Sequence, residues 1–139
     1  MRAAPTIEEE TMTVPVIALY GALNAILNIV LAANVSRGRG KHRVSIGTGN
    51  SDEMLRMNRA HGNNAEFVPL ALVMLLILEL MRAPSLWLHI LGGSLFVARL
   101  LHWAGILMKK SPNPYRFIGT AVTWLVILGS AIYALVLRS

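Results

Sequence analysis

Four long apolar runs dominate the chain, Val14 to Val35, Asn63 to Met81, Leu86 to Met108 and Phe117 to Leu137, each fenced by charged or turn-forming residues. Each has about the ~20 residues that an α-helix needs to cross ~30 Å of hydrocarbon. Backbone amides in lipid must be paired within their own segment, so the runs read as helices. Strands would need a closed barrel with dyad alternation, and these runs lack it. The pattern predicts an all-α integral membrane protein, one four-helix transmembrane bundle over residues 1–139 with both termini on one side.

The connecting segments refine this outline. Ser36 to Asn50 is rich in glycine and basic residues and is expected to be a mobile loop without a partner. Asn50 followed by Glu53 matches a capping box, which starts the second helix about two to three turns before it enters lipid. That places polar residues on a rigid stem at the interface. Arg82 to Ser85 makes a tight turn, and Ser111 to Pro114 breaks the chain before the fourth helix. The first run follows the acidic Glu8, Glu9 and Glu10, with no basic leader and no small-residue cleavage site after it, so it reads as a retained helix.

Composition agrees with a lipid setting. Of 139 residues, 55% are hydrophobic and only 14% charged, where soluble domains carry about a quarter charged residues. The net charge of +6 is unevenly spread. Arg37, Arg39, Lys41, Arg43, Arg56, Arg59, Lys109, Lys110 and Arg116 share one side, against Arg2, Arg82 and Arg138 on the other. The positive-inside rule then makes the first and third loops cytoplasmic and both termini exoplasmic. It also accounts for the basic balance without nucleic acid, since no stacking aromatics interleave with the basic residues. With no cysteine, any thiol chemistry must use a thiol brought by a ligand.

Candidate chemistry collects at the basic end. At about 100° per residue, Arg56, Arg59, Asn63 and Glu66 fall in a stripe roughly 80° wide on the second helix. Such a stripe offers an acceptor to an ammonium, a two-sided amide, and donors to carboxylates. It suits a zwitterionic, peptide-like ligand, unless Arg59 and Glu66 simply pair with each other or with a neighbouring helix. Arg99 lies ~12 to 14 Å inside the third span, where a charge faces the bundle interior, a cavity or a partner. It is either a ligand residue or half of a pair with Glu66. His102, Trp103 and Ile106 share its face; His102 taken alone reads more readily as a polar core residue than as an acid or base. Arg116, at the start of the fourth helix, either anchors the membrane boundary or stabilises an anion there, drawing a thiol of reference pKa ~8.5 toward thiolate. Glu79 with Arg82 reads as a local snorkelling pair. Trp87, Trp103 and Trp124 read as interfacial or packing aromatics.

The stretch Arg59-Ala60-His61-Gly62-Asn63-Asn64-Ala65-Glu66-Phe67-Val68-Pro69-Leu70 resembles the second-helix motif of the MAPEG family, the membrane-associated proteins in eicosanoid and glutathione metabolism. Four spans, a basic first loop, Ala98-Arg99-Leu100 and an arginine opening the fourth helix extend the resemblance over nearly the whole chain. The resemblance implies a homotrimer with glutathione sites between subunits near the cytoplasmic leaflet. It implies that Arg59, Asn63 and Glu66 hold the tripeptide, that His61, Arg37 and His102 stand at contacting positions, and that Arg99 meets a glutathione carboxylate. Arg116 corresponds to the arginine that stabilises the thiolate. Active members often carry tyrosines where this chain has Phe67, His102 and Ile106.

Two functions follow as expectations. The first is a bacterial inner-membrane transferase or peroxidase, in which the glutathione thiolate attacks a lipophilic electrophile or lipid hydroperoxide. The second is a non-catalytic lipid- or glutathione-binding scaffold of the same fold, which the missing tyrosines favour. A proton-coupled exporter would want an acidic residue in the first helix, and Val14 to Val35 contains none.

Overall fold

The computed structural model describes residues 13–108 and 112–139. Arg2, Glu8, Glu9, Glu10, Lys109, Lys110 and Ser111 lie outside the described residues. Four helices follow in order: α1 (Pro15–His42), α2 (Asp52–Leu80), α3 (Ser85–Leu107) and α4 (Pro114–Arg138). All four are long and apolar enough to cross a membrane. The α3 and α4 helices pack most extensively, α2 touches all three others, and α1 reaches only α2 and α3. Large aliphatic side chains such as Ile26, Ile29, Leu86 and Leu125 face outward. On a soluble protein that surface would drive association, whereas lipid solvates it.

The interior is layered. Val16, Leu78, Ala83 and Leu88 fill the end near the start of α1. Ala71, Leu75, Leu95 and Val126 fill the middle, and Leu27, Leu31, Ala60 and Ile106 the basic end. Between these last two layers runs a polar one, containing Asn64, Arg99 and Thr123.

Helix ends depart from the sequence pattern in three places. The α1 helix runs on through Ser36 to His42, a stretch the composition assigns to a loop. Gly38 is buried there against the sulfurs of Met54 and Met57, so packing on the α2 stem outweighs the low helix propensity of glycine. The helix ends in a Schellman motif: Arg43 is left-handed at φ 52°, its amide donates to Gly40 O, and the Val44 amide donates to Arg39 O. The rest of the loop is pinned, with Arg39 Nη1 on Ser45 O at 2.7 Å and Lys41 Nζ on Glu53 at 2.8 Å.

At α2 the cap is Ser51 rather than Asn50. Ser51 is extended and its Oγ accepts from the Met54 amide, while Asn50 turns left-handed at φ 61°. The α4 helix begins at Pro114, three residues before the predicted span, because Asn113 caps it by accepting from the Arg116 amide at 2.9 Å. Proline at the first helical position starts this helix instead of breaking the chain, since its missing N–H would have gone unused there.

Glu79 also has a role the sequence did not suggest. Its two carboxylate oxygens accept the Val16 and Ile17 amides at 2.8 and 2.7 Å, capping the start of α1 from the end of α2. The first amides of a helix have no partner of their own, and in lipid water cannot supply one.

Candidate functional site

Arg99 is the centre of the polar layer and is only 2% exposed. Its guanidinium can only donate, and it makes four bonds. Nε goes to Asn64 Oδ1 at 3.1 Å, Nη1 to Thr123 Oγ1 at 3.4 Å, and Nη2 to Asn63 Oδ1 at 2.8 Å and His102 Nδ1 at 3.3 Å. The last bond requires a bare Nδ1, which puts the ring proton of neutral His102 on Nε2. Asn64 in turn donates from Nδ2 to Asn28 Oδ1 at 3.1 Å, so the network crosses the bundle from α1 to α4. All of these acceptors are neutral, and among the described residues no carboxylate bonds to Arg99.

The alternative pairing of Arg99 with Glu66 is therefore absent. Glu66 stands instead on the outer face of α2, with its Oε1 3.9 Å from Arg59 Nη1 and both side chains more than half exposed. A pair at that distance and exposure contributes little and is easily parted. Asn63 joins the two settings. Its Oδ1 is taken by Arg99, which leaves the amide NH2 as the group it can offer a ligand, polarised by the buried cation behind it.

Arg116 lies in the first turn of α4, exposed, beside a groove of about 490 Å³ whose wall includes Asn113, Phe117, Thr120, Ala121 and Trp124. That volume falls in the range of small-molecule sites, roughly 300 to 1,000 Å³. Trp124 packs on Phe67 of α2 with ring centroids 6.3 Å apart, so the groove wall meets the helix that carries Glu66. Two glycines let α4 approach α3 closely enough to build this edge. A Cβ on Gly119 would lie 2.6 Å from Ala98 O, and one on Gly105 would run into the backbone of Arg116. Asn113 Nδ2 also donates to Gly105 O at 2.6 Å, tying the start of α4 to the end of α3.

The structure thus joins Asn63, Arg99 and His102 in one hydrogen-bonded cluster and sets Arg59 with Glu66 beside it. Arg37 is exposed on the far stretch of α1 and His61 is half-buried on α2, and among the described residues neither bonds to the cluster. Asn64, Thr123 and Thr120 carry parts of the site that sequence reasoning passed over, and Trp124, read there as an interfacial or packing aromatic, also lines the groove. Asn64 and Thr123 had a usable signal, since polar side chains within spans tend to hydrogen-bond across helices.

The sequence profile of the MAPEG family matches residues 17–136. The inner membrane protein YecN of Escherichia coli strain K12 is 34% identical over 111 residues, which is 80% of this chain and 83% of that protein. The YecN protein of Escherichia coli O6:H1 matches with the same identity and coverage.

Proposed function

This chain belongs to the MAPEG family, and from that premise we propose that it is a glutathione-dependent transferase or peroxidase of the bacterial inner membrane. Its basic loops face the cytoplasm, and it works as a homotrimer. The observation that carries the proposal is Asn63: its oxygen is fixed by a buried arginine, and its amide stands beside an exposed carboxylate and guanidinium. Those three groups complement the ends of a zwitterionic tripeptide. Glu66 takes the ammonium, Arg59 takes a carboxylate, and the Asn63 amide donates to a second acceptor. Arg99 acts through Asn63, holding its orientation, and is not in direct contact with the ligand.

The thiol would lie toward Arg116. A guanidinium in the first turn of a helix adds its charge to the helix dipole, and both favour an anion at a poorly hydrated boundary. The wall of Phe117, Ala121 and Trp124 suits a lipophile entering from the bilayer. The sulfur then bonds to the electrophilic carbon as the leaving group departs, or takes the terminal oxygen of a hydroperoxide as the lipid alkoxide leaves. The protein contributes position and charge, while the ligand contributes the nucleophile.

Calorimetric titration of glutathione in detergent tests the site. Glu66→Ala and Arg59→Ala should each weaken binding about tenfold, the scale of one charge-assisted hydrogen bond; equal affinity in all three proteins would remove the site. Arg116→Ala should still bind but lose the ultraviolet thiolate band.

The scaffold reading is favoured by one specific observation. Phe67 presents a bare ring to Trp124, so no hydroxyl stands at that edge of the groove. Glutathione binding without turnover of a chlorodinitrobenzene electrophile would favour the scaffold.

A further inference from the structure

Two methionine sulfurs converge on one glycine in the stem where α1 runs on past its apolar span. A Cβ on Gly38 would lie 2.6 Å from Met54 Sδ and 2.6 Å from Met57 Sδ, so the two thioethers fill the space a side chain there would need. Gly38 and Met54 are buried, Met54 completely, while Met57 is half-buried. Met57 comes six residues before the second apolar run, about 9 Å along the helix and outside the hydrocarbon. Peroxide dissolved in water can reach that level.

The helix over Ser36 to His42 leans on this contact. It contains Gly38 and Gly40, and glycine is among the poorest helix formers. A Cβ on Gly40 would meet nothing within 4 Å, so no close packing supports the helix there. The far end is held by the Schellman turn and by Lys41 on Glu53, which leaves the two sulfurs to hold the middle.

A thioether is readily oxidised by peroxide, and the chain has no cysteine to compete. A sulfur lone pair attacks one oxygen of the peroxide and the O–O bond breaks. Sulfur gains an S=O bond and loses two electrons, and the remaining hydroxide takes up the released proton to leave as water. The sulfoxide is polar and one oxygen larger than the thioether. Against Gly38 the sulfur already stands closer than a methyl group would allow, so the oxidised side chain has to turn out toward water.

We propose that Met57 is a site of reversible oxidation by hydrogen peroxide, and that its sulfoxide releases residues 36–42 of α1 from the α2 stem. The site does not rest on thiol binding beside Arg116, and either can fail without the other.

Hydrogen peroxide added to the purified protein in detergent tests it, with peptide mass spectrometry locating each added oxygen and hydrogen exchange following residues 38–42. Met57 should gain oxygen before the fully buried Met54 does. Exchange at 38–42 should then quicken about tenfold, the scale of losing one buried side chain. A methionine sulfoxide reductase should restore both the mass and the protection. Met57→Leu keeps the volume without the oxidisable sulfur, so its stretch should stay protected under peroxide. Met108, 43% exposed at the end of α3, is the control, and Met108→Leu should leave the response of the stem as in the wild type. Gly38→Ala keeps the test open if Met57→Leu misfolds. Its Cβ displaces both sulfurs, which belong to flexible side chains, and should make Met54 react as fast as Met57. Four results would each overturn the proposal: a Met57 that stays reduced while Met108 oxidises, a Met57 sulfoxide that leaves exchange at 38–42 unchanged, a peroxide response as large in Met57→Leu as in the wild type, or a Met54 that stays slow in Gly38→Ala.

Discussion

The Nη2 atom of Arg99 lies 2.8 Å from Oδ1 of Asn63, the shortest of the four bonds that hold this buried guanidinium. The contact separates stability from ligand binding. Arg99→Met strips the partners from Asn63, Asn64 and Thr123, and at ~0.6 kcal/mol for each interhelical bond in lipid should destabilise the bundle by about 2 kcal/mol. Asn63→Asp should do the opposite, because it puts a carboxylate on the buried cation and keeps or raises the melting temperature in detergent. The same change removes the amide donor and repels a ligand carboxylate, so glutathione affinity should fall at least about tenfold. If Asn63→Asp lost stability and affinity together, Asn63 would be a structural residue only.

Glu79 fixes the start of α1 through two short bonds to backbone amides. Replacing it with alanine leaves both amides without an acceptor in a region water reaches poorly. The expected loss is about 1 to 2 kcal/mol, the upper range for removing a helix cap. Glu79→Gln keeps one oxygen and should lose roughly half as much. Hydrogen exchange at residues 15–18 localises the effect, and unchanged protection there would show that the cap contributes nothing.

Gly119 is the point of closest approach between α4 and α3. Its added Cβ would lie 2.6 Å from Ala98 O and 2.7 Å from His102 N, and neither backbone atom can swing aside. Gly119→Ala should therefore cost about 1 to 3 kcal/mol by overpacking and widen the groove edge at Arg116. Gly129 provides the control on the same helix. Nothing lies within 4 Å of its added Cβ, so Gly129→Ala should be neutral or stabilising by up to ~1 kcal/mol. Thermal unfolding of the two variants side by side checks the contrast.

The spans were legible because hydropathy is a property of each segment alone: all four predicted runs lie within, or one residue beyond, an observed helix. Ends set by contacts between segments were not. Nothing local to Ser36 through His42 says that Gly38 will receive the sulfurs of Met54 and Met57. The same limit governs the site. Helical spacing put Arg59, Asn63 and Glu66 on one stripe, which the Arg59 and Glu66 contact agrees with. Spacing along one helix cannot say which neighbour Arg99 meets, and it met two asparagines and a threonine instead of Glu66. Glu79 was recoverable in principle. Four crossings bring the end of the second helix beside the start of the first, whose amides need acceptors.

The turn between α1 and α2 is clasped by Glu53, whose carboxylate lies 2.8 Å from Lys41 Nζ and 3.0 Å from His42 Nε2. Glu53 stands about 15 Å along the helix before the second apolar run begins, outside the lipid. Its hydrogen bond from Lys41, and then that from His42, hold its pKa below the usual carboxylate value. A carboxyl group whose pKa is depressed on folding binds protons more readily when unfolded. The stability it contributes is thus present above the unfolded value, near ~4.3, and is lost as pH falls through the lowered one. Amides at residues 40–44 should accordingly be protected from exchange at neutral pH and open in acid, as the pH falls below the unfolded carboxyl value and through the lowered one. Glu53→Gln should open them at every pH, because a neutral amide cannot hold Lys41 by charge. High salt should weaken the wild-type clasp in part, since both partners are exposed and screened. A turn whose protection ignored pH, salt and Glu53→Gln alike would owe its order to the Schellman motif and the packing of Gly38 alone.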